Sequence, residues 1–205
     1  MLQTGLGRRQ VDGGHGNLRK SERIGPCLNF RQQHFVINWQ SSSLKHSPIV
    51  KTLLWPDEAA TEHFANDLAK ALTRVLPNGS CFNACLTLQG DLGAGKTTFV
   101  RHLLRALGVT GRIKSPTYAV VEPYRVTAGD VWHFDFYRFN DPREWEDAGF
   151  RDIFASAGVK LCEWPDKALG VMPEPDVSLH IDINSDEQRV VTLKAHTPCG
   201  EALLA

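Results

Sequence analysis

Hydrophobic and polar positions follow two different periods along this chain of 205 residues, and each change of period marks an element. Thr52 to Trp55 is a short β-prone run. Pro56, Asp57 and Glu58 follow it, placing proline and acids where the first turn of a helix accepts them. Ala60, Phe64, Leu68, Ala71, Leu72 and Val75 then recur every three or four residues, giving that helix one apolar face until Pro77 to Ser80 ("PNGS") ends it. Cys85 to Leu88 ("CLTL") reads as a strand. Phe99, Leu103, Leu104 and Leu107 return to helical spacing, and Gly108 supplies a C-cap. Tyr118 to Tyr124 and Val131 to Tyr137 are rich in valine and aromatics. The "RVTAGD" between them is too short for a crossover, so they are expected to form an antiparallel hairpin. "PREWEDAGFRDIFA" is helical, Val159 to Trp164 a buried strand, and "DVSLHIDI" and "RVVTLKA" a second hairpin joined across "NSDEQ".

Residues 1 to about 50 break from this order. They are glycine-, serine- and polar-rich, and their one apolar patch, "HFVINW", is too short to build a core. They are expected to be poorly ordered, with residues 51–205 forming a single domain. Charge divides the same way. Lys+Arg and Asp+Glu total 23 each, yet residues 1–50 hold seven basic residues against two acids, an excess of five that residues 51–205 reverse. An acidic body is a poor stand-alone binder of an RNA backbone, which rewards clustered Lys and Arg. The five cysteines are scattered, and only Cys81 and Cys85 lie close, so neither a disulfide framework nor a zinc site is indicated. A reducing cytoplasm is expected. No apolar run approaches the ~18 residues of a membrane span. The acid-poor N-terminus loosely resembles a transit peptide, but without an arginine helix an upstream extension is the preferred reading.

Chemistry enters at "GDLGAGKTT", Gly90 to Thr98. Gly90, Asp91, Leu92, Gly93, Ala94, Gly95, Lys96 and Thr97 fit G-x-x-x-x-G-K-[ST], the phosphate-binding loop, between a strand and a helix as that pattern requires. Glycines reach positive φ without steric cost, so successive N–H groups can converge on phosphate, and the helix dipole adds to the attraction. Lys96 is expected at a solvent-facing loop, reaching the β- and γ-phosphates, and the Thr97 hydroxyl is expected to ligate Mg²⁺. The fold class that follows is α/β: a P-loop NTPase-like mixed sheet flanked by helices, with antiparallel hairpins.

A phosphate loop names a nucleotide site, and other residues must supply the metal side. Asp135, centred in the strand "HFDFYR", is the expected Walker B acid, since buried acids need partners. Glu163 ends the next strand, at the sheet edge where ligands sit, and is a second candidate to bind Mg²⁺ or polarise water. Thr117 in "SPTY" occupies the place of the switch threonine in small GTPases. ATP is favoured over GTP because no N-K-x-D or T-K-x-D guanine reader is present. His133 should share a face with Asp135 and serve as a hydrogen-bond partner rather than a base. Trp164 is a candidate to cover the site or to fill the core, and Glu58 a candidate to approach the base.

"GDLGAGKTTFVRHLLRALG", "KSPTY", "HFDFYR" and "EWPDK", in this order, resemble the bacterial TsaE (YjeE) family over about Leu53 to Ala195. The resemblance implies a small P-loop ATPase, weak alone, needed to make threonylcarbamoyladenosine beside the tRNA anticodon. It implies ATP and Mg²⁺, with Lys96, Asp135 and Glu163 in catalysis, Thr97, Asp135 and Glu163 on the metal side, and Thr117 as the switch threonine. It also implies TsaD and TsaB as partners, with tRNA met only through their complex. The N-terminal extension and the stretch "TRVLPNGSCFNA" depart from the family pattern. A small-molecule kinase would use the same loop, but its arginine-rich lid is absent: between Arg138 and Arg151 there is only Arg143. A non-enzymatic nucleotide-binding module is a third reading.

Overall fold

The computed structural model describes residues 49–76, 79–80, 82–141 and 143–205. In chain order these form β1 (Val50–Trp55), α1 (Glu58–Thr73), β2 (Val75–Leu76), β3 (Gly79–Ser80), β4 (Cys85–Gln89), α2 (Lys96–Ala106), β5 (Val121–Val126) and β6 (Gly129–Asp135). There follow α3 (Arg143–Asp147), α4 (Phe150–Ala155), β7 (Val159–Glu163), a 3₁₀ turn (Pro165–Ala168), β8 (Val177–Ile183), β9 (Arg189–Ala195) and α5 (Pro198–Leu204). The disorder expected of residues 1–50 falls, apart from Ile49 and Val50, outside the described residues.

A seven-stranded sheet carries the structure, ordered β1-β9-β8-β4-β7-β6-β5. The centre is parallel, with β4 between β7 and β8 and β6 beside β7. The flanks are the two expected antiparallel hairpins, β5–β6 and β8–β9, with β1 added on the outside. The sheet is therefore mixed. Alternation along the central strands feeds two cores, one on each face. Leu86, Leu88, Val131 and Leu161 pack with α1, α2 and α5 residues such as Leu68, Leu72, Phe99, Leu103 and Leu204. Cys85, Phe134 and Cys162 pack with Trp145 and Phe150 of α3 and α4.

Several boundaries differ from expectation, each for a local reason. Helix α1 starts as predicted, its N-cap Asp57 accepting from the Ala60 amide at 2.9 Å. It ends at Thr73, so Val75 lies in β2, and its buried face is Thr61, Ala65, Leu68, Ala69 and Leu72, with Ala60, Phe64 and Ala71 at the margin. The helix predicted over "PREWEDAGFRDIFA" is divided by Gly149, which takes φ +68°. Strand β5 starts at Val121, because the preceding residues turn, Val120 N donating to Pro116 O at 2.6 Å. Strand β6 stops at Asp135, where the carboxylate accepts from its own Tyr137 amide at 3.0 Å and bends the chain. Asp135 therefore ends its strand and is not central to it.

A clip at the far end of the sheet has a pH consequence. His196, after β9, meets Ser178 Oγ at 2.9 Å and is partly buried beside Lys194, Glu174 and Asp176. Burial, followed by Lys194, holds its imidazole below the ordinary histidine range, against a smaller pull from the two acids. A group depressed in this way contributes stability above its unfolded value of about 6.5, and that contribution is lost as pH falls through the folded value. Denaturant unfolding at about pH 8 and pH 5 should show wild type losing more stability on acidification than His196→Asn. Parallel losses would remove His196 from the account.

Candidate nucleotide site

Strands β4, β7 and β6 run parallel, so their C-terminal ends open on one edge, and there the chain places Gln89, Glu163 and Asp135. Glu163 and Asp135 are direct neighbours in the β6–β7 register. They share a sheet face with His133 and Leu161, the face on which α2 packs. Between β4 and α2 runs the glycine-rich loop. Gly90, Gly93 and Gly95 adopt φ of +132°, +86° and +110°. At Gly90 an added Cβ would stand 2.2 Å from the Ile181 carbonyl oxygen, so no side chain fits there. At Gly95 the left-handed backbone launches α2, whose first residue is Lys96.

Lys96 is buried, not solvent-facing as expected. Its Nζ donates to Gly90 O at 2.7 Å and Asp91 O at 2.8 Å, and lies 3.9 Å from the Trp164 ring centroid. Burial lowers its pKa below the ordinary lysine range, opposed by Glu163, Asp135 and Asp91 in that order. Trp164 holds a left-handed backbone at φ +58° and also meets Tyr137, ring centroids 5.1 Å apart. It thus walls the site while its half-buried side chain also packs against the second core.

The two acids divide the remaining partners. Glu163 is 1% exposed and accepts from Thr97 Oγ1 at 2.9 Å on each oxygen, while its Oε1 lies 2.8 Å from His133 Nε2. Asp135 accepts from Thr117 Oγ1 at 2.8 Å and from Ser115 Oγ, and so ties down the "SPTY" loop. In a phosphate-loop site the Ser/Thr of the loop and a strand carboxylate together hold Mg²⁺. Both carboxylates stand beside Thr97 in one cavity, and it is Glu163, on the strand beside β4, that Thr97 hydrogen-bonds. With Ser115, Thr117, Tyr137 and Trp164 these residues line a cavity of about 300 Å³ against Leu92, Gly93, Gly95, Lys96, Thr97 and Thr98.

A second cavity of about 210 Å³ opens across Gly93 to Gly95, lined also by Trp55, Asp57, Glu58, Thr61, Thr98 and Arg189. Glu58 stands there, its Oε1 2.9 Å from Nε2 of the buried His102. The structure thus brings together all the predicted site residues, around two cavities that share the loop. Sequence reasoning missed Arg189, which reaches Ala94 O at 3.4 Å from the start of β9, and His102; neither belongs to a motif. Ser115 was within sight, two residues from Thr117. Among the described residues no three or more His, Cys, Asp or Glu cluster as metal ligands, and no helix is long and apolar enough to cross a membrane. Two side chains suffice for Mg²⁺, which keeps phosphate oxygens and water in its shell. The Thr97 hydroxyl beside two carboxylates offers such a hard, oxygen-only donor set.

Comparison with known proteins bears on this geometry. The family profile described as "Threonylcarbamoyl adenosine biosynthesis protein TsaE" matches residues 55–191. The Haemophilus influenzae tRNA threonylcarbamoyladenosine biosynthesis protein TsaE is 38% identical over 150 residues, 73% of this chain and 92% of its own. The Bacillus subtilis protein of the same name is 37% identical over 110 residues, 54% of this chain and 68% of its own. Among solved structures, Bacillus subtilis YdiB superposes with a TM-score of 0.59 at 26% identity, covering 78% of this chain and 94% of that one.

The loop's constraints predict an unequal pair of substitutions. Gly90→Ala meets a backbone carbonyl and must displace β8, whereas Gly93→Ala meets no atom within 4 Å among the described residues and bears only its positive φ. Thermal unfolding should show Gly93→Ala losing about 1–2 kcal/mol and Gly90→Ala distinctly more. Equal losses would mean that the loop does not pack on β8 as described.

Proposed function

The chain belongs to the TsaE family of tRNA threonylcarbamoyladenosine biosynthesis proteins, and on that premise we propose that it binds and hydrolyses ATP with Mg²⁺. The observation that carries this reading is the Thr97–Glu163 hydrogen bond at the mouth of a glycine-rich loop. It pairs a helix-start hydroxyl with a strand-end carboxylate beside a lysine. The loop from Gly90 to Thr98 would wrap the phosphates, and Lys96 would exchange the Gly90 and Asp91 carbonyls for phosphate oxygens. Thr97 and Glu163 would hold Mg²⁺, with Asp135 next to them, and the ion would supply charge neutralisation on the phosphates. Lys96, Asp135 and Glu163 are the residues proposed to carry turnover.

Thr117 and Ser115 reach Asp135 from a loop that borders the cavity, so occupancy there would reshape the "SPTY" segment. That segment, with the exposed Leu92 and Tyr118, would meet a TsaD–TsaB complex in a nucleotide-dependent way. The base would lie in the cavity holding Glu58, whose carboxylate can accept from the amino group of adenine. Hydrolysis is expected to be weak without partners, tRNA to be met through the complex, and the setting to be the cytoplasm. Residues 51–205 would act as one domain. The acidic balance of that domain favours a protein partner over direct RNA contact.

Calorimetry with ATP and Mg²⁺ tests the site. Lys96→Ala should lose binding, and because Lys96 is buried it should also lose some thermal stability. Wild-type affinity in that variant would sink the assignment. Asp135→Ala and Glu163→Ala should keep nucleotide affinity within a few-fold while losing at least about tenfold in Mg²⁺-dependent hydrolysis in the presence of partners. Wild-type turnover in both would reject the metal-side roles. Residues 51–205 should associate with TsaD–TsaB when ATP is present and ignore isolated tRNA at physiological salt. Tight, salt-resistant tRNA binding by that fragment would overturn the partner-mediated reading.

A further inference from the structure

Glu163 owes its arrangement to a residue that does not line the cavity. His133 sits on β6 beside Leu161 of β7, is completely buried, and places Nε2 2.8 Å from Glu163 Oε1. Thr97 Oγ1 is the other donor to that carboxylate. Lys96, which lines the same cavity, directs its hydrogen bonds to the Gly90 and Asp91 carbonyls. A carboxylate buried to this degree depends on its hydrogen-bond donors, because an unpaired buried charge is strongly disfavoured. The histidine's other nitrogen, Nδ1, is buried and finds no hydrogen-bond partner among the described residues. Since a carboxylate only accepts, Nε2 carries the hydrogen, and Nδ1 presents a bare lone pair rather than an unpaired buried N–H. The ring therefore has one directional task.

We propose that His133 is a positioning residue that fixes the Glu163 carboxylate by holding Oε1, and through it sets the affinity of the site for Mg²⁺. It touches neither nucleotide nor metal. Held at one oxygen from beneath, the carboxylate cannot rotate into the core, and its other oxygen stays on the Thr97 side. Thr97 can then offer its lone pairs outward while its hydrogen remains on Glu163. This rests on the Mg²⁺–ATP reading above, and the test separates the two.

The experiment measures ADP binding to the full chain without Mg²⁺, then titrates Mg²⁺ into the ADP complex, for wild type, Glu163→Gln, His133→Phe and His133→Gln. Near-UV circular dichroism checks packing. His133→Phe fills the space but donates nothing; it should bind ADP within about twofold of wild type and lose about 10- to 100-fold in Mg²⁺ affinity. His133→Gln puts an amide N–H near the position of Nε2 and should recover most of that loss, so the assignment remains testable even if the phenylalanine variant fails to fold. If wild type ignores Mg²⁺, or Glu163→Gln leaves Mg²⁺ affinity unchanged, the underlying metal-side reading falls and takes this one with it. If those two behave as expected but His133→Phe matches wild type, the positioning role is wrong. It is equally wrong if His133→Gln folds and binds Mg²⁺ no better than a side chain without a donor.

Discussion

The structure turns on the burial of Glu163 at the end of the central parallel strands. A carboxylate 1% exposed is tolerable only with donors on both sides, and the fold supplies them from two elements. Helix α2 brings Thr97, 66 residues away, and strand β6 brings His133, 30 residues away. Each requirement constrains the rest. Thr97 arrives only if the loop turns tightly enough to start α2 at Lys96, which calls for positive φ at Gly90, Gly93 and Gly95. His133 arrives only if β6 lies parallel to β7 in the register that also sets Asp135 against Glu163. Sheet order, loop conformation and site chemistry are in this sense one constraint.

The same arrangement gives different partners to the two acids that the sequence places together on the metal side. Glu163 faces the Thr97 hydroxyl, and Asp135 faces the "SPTY" segment through Ser115 and Thr117. Their adjacency means that a charge placed between them is felt by both at once, through Thr97 in the rigid helix and through Thr117 in a turn. A rigid element on one side and a turn on the other is a suitable geometry for passing occupancy of a pocket to an outer surface. Trp164 contributes from a left-handed backbone, its ring set against the Lys96 ammonium.

Much of this was legible beforehand, and the illegible parts have physical causes. The loop, both hairpins and the mixed sheet follow from glycine spacing and from connections too short to cross over. Spacing leaves the roles of Glu163 and Thr117 open, and the structure adds that each side chain lines the same cavity as Lys96. The centring of Asp135 failed because its own carboxylate bends the chain at Tyr137, a side-chain effect that periodicity does not register. The exposure of Lys96 failed because carbonyls of the preceding turn capture its ammonium. The division of the helix after Trp145 was signalled by Gly149, which a reading of apolar spacing passes over. Arg189 and His102 were out of reach, since each meets the site only through tertiary packing.

A crystal structure with Mg²⁺ and a non-hydrolysable ATP analogue bears most directly on this account. It should show the phosphates wrapped by Gly90 to Thr98, Lys96 Nζ released from the Gly90 and Asp91 carbonyls onto phosphate oxygens, and the ion between Thr97 and the Glu163 carboxylate, with His133 still on Oε1. An analogue bound elsewhere, or Lys96 still tied to those carbonyls with Glu163 turned away from the ion, would contradict it.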